Sequence, residues 1–123
     1  MKLLTLRGWV VRGDGRGRLL GFPTANLELE RRRLPALGVY AVEVGGVQSK
    51  SMKAVCNVGR RPSVAGSSGV HVEIHIPGFR GDLYGRWLTL RFMRRLRPEK
   101  KFGSLRELKA QIARDVSCLN LKL

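Results

Sequence analysis

Seven consecutive residues, Val70-His71-Val72-Glu73-Ile74-His75-Ile76, alternate aliphatic and ionisable side chains without a break. Successive side chains of a strand project to opposite faces, so this segment puts its aliphatics on one side and His71, Glu73 and His75 on the other. The polar face points away from an apolar layer that the rest of the chain must supply. Other β-branched and aromatic segments punctuated by Gly and Pro do so: strands are predicted over Leu3 to Val11, Val39 to Val44, Val47 to Val58, Val70 to Ile76 and Trp87 to Phe92, a mainly β body. Val44-Gly45-Gly46-Val47 reads as a two-residue hairpin, because paired glycines adopt the positive φ angles of a type I′ turn. One helix is signalled near the end. Ser104 and Glu107 form a capping box, and Leu105, Leu108, Ile112 and Val116 recur on one face, read as core that contacts no ligand.

With 123 residues the chain reads as one domain, 1–123, able to bury a core without disulfides or structural metal. Cys56 and Cys118 lack zinc-type spacing and follow no signal peptide, which points to reduced thiols in a cytoplasm. Every apolar run falls short of the roughly 20 residues of a membrane-spanning helix. Twenty-four Lys and Arg against nine acids give a net charge of +15, which attracts any polyanion. Arg31-Arg32-Arg33 and Arg94-Arg95 fit either a nucleic-acid patch or solvated surface, and the second is preferred because no aromatic-basic interleaving is evident.

The stretch from Gly13 to Asn26 carries the strongest local signal. Gly13, Gly15 and Gly17 let backbone N–H groups approach an anion, Arg16 and Arg18 add positive charge, and Gly21-Phe22-Pro23-Thr24-Ala25-Asn26 follows. Thr24 and Asn26 offer neutral oxygens suited to a hard cation such as Mg²⁺ bridging phosphates, or alternatively an Asx or Ser/Thr turn. Neither a Walker A loop nor the dinucleotide fingerprint fits this spacing.

Gly8-Trp9-Val10-Val11-Arg12-Gly13 through Gly21-Phe22-Pro23-Thr24-Ala25-Asn26-Leu27 closely resembles the opening signature of riboflavin kinases, a domain also found as the C-terminal half of bifunctional bacterial FAD synthetases. Gly38-Val39-Tyr40, Cys56-Asn57-Val58-Gly59 with Arg61-Pro62-Ser63, Val72-Glu73-Ile74-His75, Leu83-Tyr84-Gly85 and Leu96-Arg97-Pro98-Glu99-Lys100-Lys101-Phe102 follow in the family's order. The resemblance covers nearly the whole chain. It implies a six-stranded antiparallel Greek-key β-barrel with a C-terminal α-helix packed against it.

The resemblance also assigns roles. It implies ATP-dependent phosphorylation of the riboflavin 5′-hydroxyl to give FMN and ADP, with Glu73 as the catalytic base. Thr24 and Asn26 would place Mg²⁺, with Mn²⁺ and Zn²⁺ as alternatives. Gly13, Gly15, Arg16, Gly17, Arg18, Gly21, Pro23 and Thr24 would hold the ATP phosphates, and Asn57, Arg97, Glu99 and Phe102 would line the flavin site. Phe102 also reads as a hydrophobic staple beside Ser104. For Glu73 the alternatives are a polar, solvent-facing strand surface and a His71-Glu73-His75 zinc site that lacks a fourth ligand.

Ser63-Val64 stands where the family usually has Thr-Phe, and Trp9 where a smaller or polar residue is expected. No adenylyltransferase domain precedes Met1, so the expectation is a monofunctional kinase or the kinase half of a bifunctional enzyme. The sequence thus predicts a cytoplasmic riboflavin kinase domain binding riboflavin or FMN and ATP or ADP, without membrane or nucleic acid. The competing functions are a non-catalytic basic barrel that binds nucleic acid and a flavin-binding sensor derived from the kinase fold.

Overall fold

A computed structural model describes residues 4–12, 23–30, 34–60 and 70–119. Six strands, β1 (Leu4–Val11), β2 (Ala25–Leu29), β3 (Gly38–Gly45), β4 (Met52–Arg60), β5 (Val70–His75) and β6 (Trp87–Arg97), precede one helix, α1 (Leu105–Cys118). All pairings are antiparallel, and the strands close in the order β1-β2-β5-β4-β3-β6. Closure leaves no free sheet edge. The mainly β barrel with a C-terminal helix is therefore the fold of this chain.

Alternation along each strand fills the barrel. Leu6 and Val10, Leu27, Tyr40 and Val42, Cys56 and Val58, Val72 and Ile74, and Leu88 and Leu90 point inward and are buried. Strand β3 is buried on both faces, because its outward residues Val39 and Ala41 join Val55 beneath Val116 and Leu119 at the end of α1. The helix is thus anchored by its C-terminal turns.

Three sequence expectations change. First, β2 was not predicted. Ala25, Leu27 and Leu29 face inward while Asn26 and Glu28 face outward, so the Pro-Thr-Ala-Asn tail enters a strand rather than ending in a turn. Second, Gly45-Gly46 is not a two-residue hairpin. Val44 pairs with Met52, so a longer loop intervenes: Val47 buries its side chain in the core, and Gly46, at φ 99°, accepts a hydrogen bond on its carbonyl from Arg86 Nη2 at 2.7 Å. A Cβ on Gly46 would meet the Trp87 carbonyl at 2.8 Å, so glycine is required there. Third, β6 runs on to Arg97. Its register against β3 steps twice, between Val39 and Tyr40 and between Ala41 and Val42, and these irregularities break the period-two pattern just where arginines crowd the sequence.

Trp9 is accommodated on the barrel exterior. Its ring lies 5.0 Å from that of Trp87, and the Arg7 guanidinium sits 4.2 Å over Trp87. Among the described residues no helix is long and apolar enough to cross a membrane.

Candidate active site between the barrel and its helix

Strand register sets out the site. Glu73 on β5 stands directly opposite Asn26 on β2 and Asn57 on β4, and Asn57 in turn stands opposite Val39, whose other neighbour is Arg97 on β6. Directly paired residues project to the same face, so one row across five strands places these side chains on the outer wall. The inward neighbours Ile74, Cys56 and Val72 are fully packed and make that wall rigid.

Thr24, one residue before β2, donates its hydroxyl to Glu73 Oε2 at 3.1 Å. Glu73 Oε1 faces His71 Nε2 at 3.8 Å, while His75 turns the other way, with Nδ1 2.8 Å from the Pro23 carbonyl oxygen. His71 faces the Glu73 carboxylate and His75 turns to the Pro23 carbonyl, so the three side chains do not close on one point. Among the described residues no group of three or more His, Cys, Asp or Glu is arranged to hold a metal.

Two clefts meet at this point. One, of about 630 Å³, lies between the barrel wall and α1, with Val39, Val55, Asn57 and Glu73 on the wall and Phe102, Leu105, Leu108 and Ile112 opposite. The other, of about 1020 Å³, runs from Pro23 and Asn26 past Phe79 to Arg12 and Tyr84. Thr24 and His75 line both. The first sets an apolar helix side, Phe102, Leu105, Leu108 and Ile112, against a wall rich in polar and charged groups, among them Asn57, His71, Glu73 and Arg97, a combination that suits a flat aromatic ligand carrying polar edges.

The helix stripe differs from its reading as plain core. Leu105 is 64% exposed, and Leu108 and Ile112 face the cleft, because only the far end of α1 packs on the barrel. Ser104 caps the helix by accepting from the Glu107 N–H at 3.2 Å. Glu107 reaches back one residue further than the simple box, to the Gly103 N–H at 3.1 Å. This fixes where α1 begins.

The segment joining β6 to α1 is tied down at three points. Arg97 holds Asp115 through Nε at 3.0 Å to Oδ1 and Nη2 at 2.8 Å to Oδ2, and Gln111 Nε2 donates to the same carboxylate at 3.0 Å. Glu99 Oε2 accepts from the Arg60 N–H at 2.9 Å and occupies the space where Gly59 lacks a Cβ. The Phe102 ring has the Arg97 guanidinium at 5.6 Å and the Lys100 amine at 5.5 Å from its centroid. Arg97 thus faces the cleft with its fork already engaged by Asp115.

Among the described residues, two buried polar atoms in this cleft have no hydrogen-bond partner, Asn57 Oδ1 and His71 Nδ1. Beneath Glu73, Cys56 is sealed in the barrel; burial first, and then the Glu73 charge, push its thiol pKa far above the ordinary value. It stays a neutral thiol.

Of the residues predicted for the site, Thr24, Asn57, Glu73, Arg97, Glu99 and Phe102 line the first cleft, while Pro23, Thr24 and Asn26 line the second. Gly13, Gly15, Arg16, Gly17, Arg18 and Gly21, the Arg31-Arg32-Arg33 run and Ser63-Val64 lie outside the described residues. Asp115, Leu108 and Ile112 were missed as site residues. A lone carboxylate continuing the helical stripe of Leu108 and Ile112 was the available signal.

The profile of the family described as Flavokinase, riboflavin kinase, matches residues 2–121. A bifunctional riboflavin kinase/FMN adenylyltransferase of Escherichia coli (strain K12) is 49% identical over 110 residues, covering 89% of this chain and 35% of that protein. A crystal structure described as a macrolide-efflux protein from Streptococcus pneumoniae superposes with a TM-score of 0.85 and 36% identity, over 95% of this chain and 38% of that one. A riboflavin kinase structure from Trypanosoma brucei shares the fold with a TM-score of 0.63 at 22% identity, over 97% of this chain and 78% of that one. The chain spans only about a third, 35%, of the length of the Escherichia coli relative.

Proposed function

The chain belongs to the riboflavin kinase family, and on that premise we propose that it transfers the γ-phosphoryl group of ATP to the 5′-hydroxyl of riboflavin, releasing FMN and ADP. The observation that carries this reading is the meeting of two clefts at Thr24, whose hydroxyl is 3.1 Å from Glu73. A donor in one and an acceptor in the other would bring their reacting atoms together beside a carboxylate.

The isoalloxazine ring occupies the apolar cleft under α1, against Phe102, Leu108 and Ile112, with the ribityl chain running along the wall toward Glu73. Asn57 Oδ1, buried and without a partner among the described residues, is an acceptor for a substrate N–H or hydroxyl. Glu99 holds the segment leading into α1 and Arg97 keeps the helix at its working distance. The nucleotide lies in the second cleft, where Arg12 stacks on Tyr84 at 4.1 Å.

In the transfer, a bond forms between the 5′-oxygen and the γ-phosphorus as the bond from that phosphorus to the β,γ-bridging oxygen breaks. Glu73 takes the hydroxyl proton. Thr24 and Asn26 fit a Mg²⁺ ion, with Mn²⁺ and Zn²⁺ as alternatives: the Thr24 proton is committed to Glu73 and leaves its oxygen lone pairs available, and Asn26 lies in register with Glu73. Such an ion supplies charge neutralisation between the phosphates. On their own, these two neutral side chains would hold such an ion only weakly. We place this activity in the cytoplasm, in keeping with the free thiols of Cys56 and Cys118. Incubating the chain with riboflavin, ATP and Mg²⁺ and separating the flavins tests the reading: FMN is expected, and its absence with any donor nucleotide or divalent ion contradicts it.

A further inference from the structure

Glu73 has two carboxylate oxygens, and Thr24 holds only Oε2. The other, Oε1, faces His71 Nε2 at 3.8 Å, slightly beyond hydrogen-bond range. His71 lies two residues before Glu73 on the same face of β5 and stands opposite Gly59 on β4, so no β4 side chain lies directly across from the imidazole. Its side chain is 22% exposed and lines the cleft.

The other ring nitrogen shows that this histidine is not merely a polar residue on an outer strand. Among the described residues Nδ1 is buried with no hydrogen-bond partner, an unfavourable condition that a valine on the same strand face avoids. If Nε2 carries the proton and points to Glu73, Nδ1 is left as an acceptor that tolerates being unpaired better than a buried N–H does.

Building on the kinase reading, we propose that His71 is a positioning residue that holds Oε1 of Glu73 through Nε2–H. Thr24 and His71 then grip one carboxylate oxygen each and fix the plane of the base toward the substrate hydroxyl. The 3.8 Å gap closes to hydrogen-bond distance when substrate fills the cleft, as catalytic contacts do on forming the reactive complex.

Two substitutions separate the ring nitrogens. In His71→Gln the side-chain amide reaches where Nε2 lies; in His71→Asn it reaches only as far as Nδ1. With riboflavin, ATP and Mg²⁺, His71→Asn is expected to lower kcat about 10-fold with the riboflavin KM changed less than twofold, and His71→Gln to restore kcat to within about threefold of the original. Equal turnover in all three proteins, a loss expressed in KM, or a glutamine variant as slow as the asparagine one each overturns the positioning role. An unsubstituted chain that makes no FMN contradicts the kinase reading instead, so the two failures are distinguishable.

Discussion

Arg97 on β6 and Asp115 on α1 face each other as a fork and a carboxylate, with Nη2 2.8 Å from Oδ2, in side chains only 18% and 5% exposed. Both line the cleft between the barrel and α1, where their contact pins the helix to the barrel.

Breaking this pair leaves a largely buried guanidinium without its counter-charge. Asp115→Ala is expected to cost about 3 kcal/mol, seen as a lowered Tm, and to raise the riboflavin KM more than it lowers kcat because the helix loses its anchor. Asp115→Asn keeps an acceptor for Gln111 and should fall between the two.

Gly59 and Glu99 form a second coupled pair. A Cβ at Gly59 collides with the Glu99 carboxylate that caps the Arg60 N–H. Because Glu99 is exposed and its carboxylate can swing aside, Gly59→Ala should cost only about 0.5–1.5 kcal/mol, the hydrogen bond to the Arg60 N–H that is lost, and weaken riboflavin binding. In a Glu99→Ala background the same change should cost clearly less, because the atom it strikes is gone; a double-mutant cycle in urea measures the difference.

Cys56 gives a prediction in pH. Burial holds its thiol neutral in the folded barrel, whereas in the unfolded chain it ionises near pH 8.5. The unfolded state therefore releases a proton that the folded state keeps, so stability is fully present below that pH and declines as pH rises above it. Denaturant melts of the native chain and Cys56→Ala should converge with rising pH, the native one losing stability faster. Iodoacetamide should label the native chain at Cys118 alone, and both cysteines after unfolding.

Thr24 is predicted to matter through its hydroxyl. Thr24→Val keeps the shape but removes the donor to Glu73 and the oxygen available to a cation, and should lower kcat by at least about 10-fold and raise the Mg²⁺ concentration needed for half-maximal rate. Thr24→Ser should retain most turnover. Initial rates across a Mg²⁺ titration test both.

The outward face of β5 was legible because Val72 and Ile74 alternate with Glu73 in a pattern that only a half-buried strand satisfies. Strand β2 has the same alternation in Ala25-Asn26-Leu27-Glu28-Leu29, but the phosphate-loop signature ahead of it makes Asn26 read as a cation ligand and not as part of a strand. The neighbours of Glu73 were less accessible. Asn26 and Asn57 reach it only through strand pairing, which local sequence does not encode, and Arg97 and Asp115 are single members of an arginine-rich chain until the helix folds back. The stripe on α1 was visible, but whether it faced core or cleft depended on how far the helix stands from the barrel. That distance is set by the long-range contact between Leu119 and the outer side of β3 and β4.

The central claim is that Glu73 is the base of a phosphoryl transfer to riboflavin. Its most direct test is Glu73→Gln, a near-isosteric change that preserves an acceptor for Thr24 and removes the proton-accepting carboxylate. FMN formation is followed by chromatography and riboflavin binding by flavin fluorescence in the same preparation. The account predicts turnover reduced by at least about 100-fold with the riboflavin dissociation constant within about threefold of the native value. FMN formation at the native rate by Glu73→Gln would contradict it.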